Sequence, residues 1–536
     1  MTTQRQPRRR GALRRAGSIA AALVLVAGLA ACSPTADTGG DAAGGETGER
    51  GEELVLQFRG APMSLDPALQ GTASGSIFTV LAYDPLIYQA PDGSLQPSLA
   101  TEWEFTAEDN SVFEFTLRDD VEFASGEPLT PEAVVASMEY FIAKGGGNMP
   151  RVGPIEAVEA VDDSTVRITY GAPFADAPMS LTQTIMLGNI IGPDGLADPA
   201  SLLQTMDGTG QYVYDADESV PDSEYIYERN PNYWNPDAQM WDRVKVQIIT
   251  DPNAVLNAAS TGQIDFGLGN PLLASAAESA GLEIVSAPFY NWALRLADVG
   301  GEVNPALADE RVRAAIALAI DREAIVNALG GEHMSPSDQL VVEGTAGYNE
   351  DIGWEFDLEE ARRLMAEAGY EDGFEMTILD SSLQDHQSQI ALAISSALEE
   401  IGISVTLEVD STSIPSFAEK AESKQYEAVL WATNGGVGNA YADLRSAGTM
   451  SNPFGFLDEE MEKLYAESLG LTGDERQAVY ERMSERWQEV AVTVPILTQY
   501  FVNYVGPKVT NVKASPQNPV MLPVGPEPEY NWQPAE

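Results

Sequence analysis

The chain has 536 residues, 44% of them hydrophobic, and its 82 acidic and 30 basic residues give a formal net charge of −52. A charge of this sign repels the phosphate backbone, so the composition excludes nucleic acid as the main partner. The excess of acid is typical of a surface that keeps a protein soluble, with attraction of cationic ligands as the alternative. A chain of this length can bury a large core, which it needs because one cysteine allows no internal disulfide.

Residues 1–31 are typical of an export signal, with six arginines before an apolar run over residues 16–31. The run is shorter than the roughly 20 residues of a spanning helix, which favours cleavage. Leu29-Ala30-Ala31-Cys32 resembles the bacterial lipobox, so we predict that Cys32 carries lipid. The alternative is a free cysteine after ordinary cleavage. The twin-arginine route is disfavoured, because "RRAGS" lacks the apolar residues that usually follow its arginines, and general secretion is expected.

A lipid on Cys32 would hold the exported chain at the outer face of the cell membrane. Loss of the six arginines would bring its net charge to −58. Residues 32–53 are rich in Gly, Ala, Thr, Asp and Glu and predict a flexible tether, since they have too few apolar side chains to fold.

Strands dominate the first half of the folded region. "VFEFTLRDDVEF" (112–123) alternates with period two and predicts a strand, a turn at Asp119-Asp120 and a second short strand; "TVRITY" (165–170) and "RVKVQII" (243–249) also predict strands. A helix is expected over residues 130–144, with Thr130 as N-cap and Gly145 past its end.

The second half changes to alternating helices and strands. Residues 309–331 have a long helical pattern, and residues 357–368 predict a helix with a cap-like Asp-x-x-Glu. Strands at 375–379, 403–409 and 427–433 alternate with helices at 386–400 and near 415–424. This order predicts a parallel sheet with right-handed crossovers in an α/β fold.

Ligands of open parallel sheets bind beyond the carboxyl ends of the strands. Those ends carry small polar residues at 380–382, 410–413 and 433–439. In "WATNGGVGNAYADL" (431–444), glycines allow close approach of backbone to a ligand, and Trp431 and Tyr441 offer apolar faces. The alternative is an ordinary glycine-rich crossover loop with a core tryptophan.

Catalytic motifs are absent from the sequence. Two histidines, His333 and His386, cannot form a zinc cluster, and we expect both to be surface residues. No G-x-S-x-G elbow or G-x-x-x-x-G-K-[ST] phosphate loop is present. With 82 acidic residues, a glycosidase using a carboxylate pair remains the alternative from another class. We expect no enzyme activity, no cofactor and no metal site.

A series of motifs resembles the extracellular solute-binding proteins of family 5, which serve ABC importers of peptides, nickel and some oligosaccharides. In order, they are "SLDPAL" (64–69), "YDPLIYQAPDGSLQPSLATEWEF" with "FEFTLRDDVEFASGEPLTPEAVVASMEYF" (83–141), "VEAVDDSTVRI", "GTGQYVY", "YERNPNYW", "DPNAVLNAASTGQIDF" and "ERVRAAIALAIDREAIV". The resemblance covers residues 54–512, about the whole folded region.

The resemblance implies a periplasmic-binding-protein-like fold of type II with two lobes. Lobe I would span residues 54–296, with an inserted subdomain at about 86–200; lobe II would span 297–497; residues 498–536 would return to lobe I. The chain would cross between lobes near 289–296 and 496–504. It further implies a monomer that captures a peptide or oligosaccharide by hinge closure and delivers it to a membrane permease.

The resemblance also implies where the ligand lies. It would contact the segment after "SLDP", the first hinge strand, and the loop and helix after the strand that ends in Trp431. The implied ligand-binding residues are Thr72, Ala73, Ser74, Tyr290, Asn291, Trp292, Trp431, Asn434, Gly435, Asn439, Tyr441 and Asp443.

One departure from the family pattern concerns charge. Peptide-binding members usually carry an aspartate in the loop after the strand-end tryptophan, where it pairs with the amino terminus of the peptide. Here residues 434–439 hold no acid, and Asp443 comes late. Either Asp443 takes this role, or the ligand is neutral, such as an oligosaccharide. Free nickel is disfavoured by the two histidines.

Overall fold

The computed structural model describes residues 50–70, 75–382, 386–433 and 435–535. The strands are β1 Gly51–Phe58, β2 Ile87–Gln89, β3 Leu95–Pro97, β4 Ala100–Phe105, β5 Val112–Leu117, β6 Ile155–Ala160, β7 Thr165–Tyr170, β8 Tyr212–Val220, β9 Glu224–Arg229, β10 Trp241–Ile248, β11 Phe266–Leu268, β12 Glu283–Leu296, β13 Met334–Pro336, β14 Phe374–Ser381, β15 Ile403–Asp410, β16 Ala428–Thr433, β17 Thr493–Val505, β18 Val509–Thr510 and β19 Gln533–Pro534.

The α-helices are α1 Ser76–Thr79, α2 Pro131–Lys144, α3 Ala177–Ser180, α4 Pro193–Ala197, α5 Pro252–Ser260, α6 Ala274–Ser279, α7 Glu310–Leu318, α8 Arg322–Leu329, α9 Leu358–Glu367, α10 Gln387–Glu399, α11 Ile414–Glu422, α12 Val437–Leu444, α13 Glu459–Ser468 and α14 Gly473–Val490. Among the described residues, no helix is long and apolar enough to span a membrane.

One mixed sheet runs through the molecule in the order β15-β14-β16-β12-β17-β11-β1-β10-β9-β8, with β13 paired to β17. β14 pairs in parallel with both β15 and β16, as the alternation of strands and helices predicts. The long strands β12 and β17 pair antiparallel to each other. In lobe I β17 pairs with β11, and in lobe II β12 pairs with β16, so this pair of strands joins the lobes.

Separate cores give each region its own rigidity. In lobe II, α7 to α10 cover one face of the sheet, and their core includes Ile316, Ile378 and Leu430. In lobe I, a core around Tyr83 and Phe266 packs against β1 and β10. These side chains are fully or almost fully buried. The lobes can therefore move as bodies about the two shared strands.

A second sheet, β4-β5-β7-β6, lies within the segment of about residues 86–200 that is predicted to be the inserted subdomain of lobe I. Its period-two alternation places Phe113 and Phe115 inside, packed with Met138 of α2. Thr130 caps α2 by accepting a hydrogen bond from the amide of Ala133. Strands β5 and β7 and helix α2 confirm the sequence prediction.

Three local predictions are wrong. The second short strand after Asp119-Asp120 is reduced to a single bridge between Glu122 and Pro128. The helical pattern over residues 309–331 forms two helices, because Asp321 caps a new helix by accepting from the amide of Ala324. The tether predicted to reach residue 53 ends earlier, because β1 starts at Gly51 and pairs with β10 from its first residue.

Candidate functional site

The candidate site lies at the carboxyl edge of the lobe II sheet. β14 ends at Ser381, β15 at Asp410 and β16 at Thr433, and their parallel pairing brings these ends to one edge. Thr433 also pairs with Asn291 of β12, next to the strands that join the lobes. The edge at which the sequence predicts a ligand is therefore also the edge closest to the hinge.

Close packing shapes the loop that follows β16. Gly435 is exposed and has a φ of +83°, a conformation that favours glycine. A Cβ on Gly435 would lie 3.0 Å from Nδ2 of Asn439, so the Asn439 side chain folds back over this glycine. Gly436 packs against Ala346, whose carbonyl accepts a hydrogen bond of 2.9 Å from the amide of Val437. The glycines thus allow the loop to lie close to the 342–347 segment.

Trp431 lies at the end of β16 and is half-buried. Its ring stacks on Phe417 of α11, with centroids 5.0 Å apart and an interplanar angle of 24°. One face of the indole is therefore covered by lobe II, while part of the side chain stays accessible. Such a ring offers apolar contact area at little cost in side-chain entropy, because the stack already fixes it.

Asp443 lies in α12 and is exposed to solvent. Desolvation by the surrounding protein nevertheless raises its pKa, against the opposing charges of Arg151 and Arg295. Arg151 belongs to the short turn Met149–Arg151, in the segment predicted as the inserted subdomain, so a charge from outside lobe II acts on this carboxyl group.

Arg295 is the second cation near Asp443. Its side chain is buried on β12, and burial lowers its pKa to about 10, although the charge of Asp443 acts in the opposite direction. Its Nη1 donates a hydrogen bond of 2.8 Å to the carbonyl of Ser451. This bond ties the 448–456 loop to β12, beside α12.

Several predicted ligand-binding residues lie inside lobe II. Trp292 is 1% exposed, and its Nε1 donates to Oε1 of Gln499 over 2.9 Å. Tyr441 is also 1% exposed, and its hydroxyl donates to Glu462 over 2.9 Å. Asn291 is buried and donates from Nδ2 to backbone carbonyls of the 339–340 segment. Tyr290 is half-buried on the same hinge strand.

In the described structure Trp431 lies on β16, Gly435 in the loop that follows, and Asn439 and Asp443 on α12, with Tyr290 on the neighbouring strand β12. The predicted residues Cys32, Thr72, Ala73, Ser74 and Asn434 lie outside the described residues.

Sequence reasoning missed the two arginines near Asp443. Arg151 is far from Asp443 along the chain and lies in no motif, and Arg295 follows the hinge motif by only a few residues. With 30 basic against 82 acidic residues, the scarcity of basic side chains is the one signal that could have directed attention to them. His386 is a correction: it is 7% exposed rather than on the surface, because it directly precedes α10, whose first residue Gln387 is fully buried.

A family model described as "Bacterial extracellular solute-binding proteins, family 5 Middle" matches residues 94–454, about two thirds of the chain. The chain belongs to this family. The family assignment does not favour the glycosidase alternative, because these proteins bind solutes. Among the described residues, no group of three or more His, Cys, Asp or Glu side chains could hold a metal ion.

Relatives of this family-5 protein match along most of their length. It is 24% identical over 479 residues to a probable peptide ABC transporter periplasmic-binding protein of Sinorhizobium fredii, covering 80% of this chain and 86% of that protein. It is 25% identical over 503 residues to heme-binding protein A of Haemophilus influenzae, covering 85% and 89%. The fold matches the ABC transporter substrate-binding protein CtaP of Listeria monocytogenes with a TM-score of 0.77 at 22% identity, covering 91% of this chain and 100% of that one.

The solved structures fix the architecture of this family-5 protein as a two-lobed periplasmic-binding-protein fold. The resemblance noted from sequence motifs is thereby confirmed at the level of family and fold. The identity of the solute is a separate question, because one of these relatives is named as a peptide transporter component and another as a heme-binding protein.

Proposed function

We propose that this protein is the exported, lipid-anchored binding component of an ABC importer and captures a peptide-like solute between its two lobes. The observation that carries the proposal is the accessible carboxyl group of Asp443 on α12, directly after the loop that follows Trp431, with the charge of Arg151 from the other lobe acting on it. A solute with separated charges would satisfy both lobes at once and so favour closure.

The accessible residues have complementary tasks in such a site. Trp431 supplies an apolar surface for a side chain or ring of the solute. Asn439 and the backbone around Gly435 supply polar groups that fix orientation, in the pattern typical of small-molecule sites. Asp443 would pair with an ammonium group. Trp292 and Tyr441 act from inside lobe II, since at 1% exposure they support the site rather than contact a solute.

An oligosaccharide is the alternative solute. Trp431 and Asn439, with Asn434 and the segment holding Thr72, Ala73 and Ser74 as further proposed contacts, would also suit a sugar. The accessible carboxyl group of Asp443 favours the peptide, because a peptide brings an ammonium group that can pair with it, whereas a neutral sugar brings no charge.

Anchoring and delivery complete the proposal. Lipid on Cys32 would keep the protein at the outer face of the membrane, where a monomer with a solute enclosed would meet its permease. The solute is released unchanged, because the process consists of binding and hinge motion about β12 and β17. The pairing of these two strands shifts in register between Pro288 and Tyr290 and again between Trp292 and Ala293. Irregularities of this kind interrupt the ladder of hydrogen bonds and bend a strand locally.

Thermal melting of the purified protein tests the proposal. The probes are pools of short peptides, the same peptides acetylated at the amino terminus, and pools of oligosaccharides. A solute at 100 times its dissociation constant stabilises the folded protein by about 2.7 kcal/mol, which raises the melting temperature. We expect a shift with free peptides and a smaller shift with acetylated ones.

Two variants sharpen this test. Asp443→Asn should remove the preference for a free amino terminus, whereas Glu419→Gln, an exposed change on α11 of the same lobe, should preserve it. A rise in melting temperature with oligosaccharides alone would show that the solute is a sugar and not a peptide. Equal shifts for free and acetylated peptides would remove Asp443 from the proposed role.

A further inference from the structure

The inserted subdomain of lobe I touches the helices of lobe II through a compact set of polar contacts. The amide of Ala175 donates to the carbonyl of Leu469 over 2.8 Å, and Nδ2 of Asn110 donates to the carbonyl of Gly470 over 2.9 Å. Both acceptors lie in the turn between α13 and α14. The donors belong to the subdomain, so each bond crosses from one lobe to the other.

An ion pair accompanies these bonds. Both Nη atoms of Arg476 on α14 donate to the carboxylate of Asp176, over 2.5 and 2.6 Å. The Arg476 side chain is 14% exposed and that of Asp176 is 41% exposed. Paired geometry of this kind is stronger than a single contact, and the low exposure of the guanidinium reduces screening by salt.

Each partner is fixed to its own lobe. Asp176 lies between Phe174 and Ala177, which pack in the core of the subdomain. The guanidinium of Arg476 lies 5.0 Å from the centroid of Tyr480, whose ring packs in the core around α12 and α14. Neither side chain has to leave its lobe to form the pair, so the contact joins two preformed surfaces.

The lobe II partner is also linked to the candidate site. Tyr480 lies directly against Gly438 of α12, where a Cβ would approach its hydroxyl to 2.6 Å. From the same helix, Gln477 accepts from the amide of Gly347 and Ser484 donates to its carbonyl. Gly347 follows Ala346, which holds the start of α12. Arg476 thus lies on the helix that positions the loop and helix of the site.

We infer that the Asp176–Arg476 pair is a lobe-to-lobe latch that stabilises the closed form before a solute enters. The inference rests on the proposed function in one respect, the closing of the lobes on a solute. The latch does not contact the solute; it raises the population of the closed form, on which the apparent affinity depends.

The latch shifts the equilibrium between the open and closed forms by a modest amount. One partly exposed, doubly bonded ion pair changes an equilibrium by up to about fivefold. The remaining contacts of Ala175 and Asn110 persist when the pair is lost, so the closed form becomes less populated but still forms. Apparent affinity falls by the same factor wherever the closed form is the minor one in the free protein.

Small-angle X-ray scattering of the solute-free protein tests the latch without any ligand. We compare the wild type with Arg476→Gln, Asp176→Asn and the double variant, each checked for fold by circular dichroism. We expect a larger radius of gyration in either single variant, corresponding to a closed-to-open ratio lower by about fivefold. The double variant should open no further, because each single change already breaks the pair.

The matched control is Arg486→Gln. Arg486 lies on the same helix and forms a doubly bonded pair with Asp458 over 2.7 and 3.1 Å, but both partners belong to lobe II. Its loss should leave the scattering unchanged. The latch is overturned if Arg476→Gln and Asp176→Asn have the same radius of gyration as the wild type. It is also overturned if Arg486→Gln increases the radius of gyration as much as they do. If Arg476→Gln does not fold, Asp176→Asn decides.

Scattering and solute binding fail separately. If the latch variants open but the protein binds no peptide or sugar, the latch inference stands and the proposed function is wrong. Normal peptide binding with scattering that the substitutions leave unchanged removes the latch alone.

Discussion

At the residue scale, two tryptophans of lobe II show how local packing separates a side chain that is proposed to bind solute from a structural one. Trp431 and Trp292 lie on adjacent strands, β16 and β12. Trp431 pairs with Ala293, the neighbour of Trp292, so the two tryptophans face opposite sides of the sheet. Trp292 faces the helices of lobe II and is buried with its Nε1 hydrogen-bonded. Trp431 faces the other side of the sheet, stacked on Phe417 and partly accessible.

Trp431→Ala should weaken solute binding at least about tenfold, the size expected for loss of an aromatic contact in a buried site. The fold should persist, because the side chain is half-buried and its removal leaves Phe417 in place. Isothermal titration with the solute that shifts the melting temperature, together with urea unfolding, measures both effects.

Trp292→Ala is the matched control and should act through stability. A fully buried tryptophan replaced by alanine costs about 3–5 kcal/mol of unfolding free energy. Nearly normal binding by Trp431→Ala would contradict the proposed position of the solute. If Trp292→Ala loses binding without losing stability, Trp292 contacts the solute directly.

Cys32 is tested by its own thiol. If the exported chain carries lipid on Cys32, the sulfur is consumed, and the denatured protein from the membrane fraction should react with no thiol reagent, because the sequence has no other cysteine. Cys32→Ser should move the protein out of the membrane fraction. One reactive thiol per exported wild-type chain would contradict lipidation and favour ordinary signal cleavage.

At the scale of elements, the break between α7 and α8 shows a capping residue overriding a helical pattern. Asp321 accepts from the amide of Ala324, and the buried guanidinium of Arg322 donates to several carbonyls, including those of Ser337 and Pro495. A continuous helix would direct these groups elsewhere. The break therefore satisfies polar groups that a longer helix would leave buried without partners.

Asp321→Ala should lower the unfolding free energy by about 1 kcal/mol, the usual cost of losing an N-cap. Urea denaturation of the variant measures it. The control is Glu323→Ala, an exposed change in the first turn of the same helix, which should cost less because it leaves the cap intact. Equal costs would mean that helix charge, rather than the cap, sets the break.

Elements whose pattern is local were predictable, and those set by distant pairing were not. The alternation in β5 and the cap and terminating glycine of α2 carry their own signals. The polar ends of β14 and β16 follow from strand order, which placed the edge of the site. The proposed role of Arg151 depends on how near a distant part of the chain comes to Asp443, and the burial of Trp292 depends on which face of β12 packs against helices. Neither leaves a mark in the surrounding sequence.

At the scale of the whole molecule, the long pair β12 and β17 makes one sheet out of two lobes. Separate cores keep each lobe rigid, while the register shifts in the shared strands allow bending. The proposed latch, Asp176–Arg476, joins other parts of the chain, α14 and the segment just before α3. The latch would therefore add a modest bias to a closure that bending of the shared strands makes possible.

The pH dependence of stability is also a property of the whole molecule, because two buried carboxyl groups in different lobes act together. Burial raises the pKa of Asp84 to about 7, against hydrogen bonds from Trp234 and Tyr233 and the charge of Arg118. Burial raises the pKa of Asp380 to about 6, against hydrogen bonds involving serines nearby. Both side chains are almost completely inaccessible to solvent.

The sign follows from proton binding. An unfolded aspartate has a pKa near 3.9, so between pH 7.5 and 5.5 the folded protein binds more protons than the unfolded chain, and stability rises as the pH falls. Carboxyl groups with lowered pKa values, such as Asp410 at about 2, remain ionised throughout this window and do not oppose the rise. The two raised groups together should add about 2 kcal/mol.

Urea unfolding at pH 7.5 and 5.5 measures this gain. The double variant Asp84→Asn/Asp380→Asn keeps the shape of both side chains. At the first position the new amide oxygen can still accept from Nε1 of Trp234, which donates to Oδ2 of Asp84 over 2.9 Å in the wild type. The stability of the variant should depend far less on pH, and it should exceed that of the wild type at pH 7.5, where the buried charges are most costly. A wild type that loses stability on acidification, or a variant with the same slope, would show that these carboxyl groups titrate near their ordinary values.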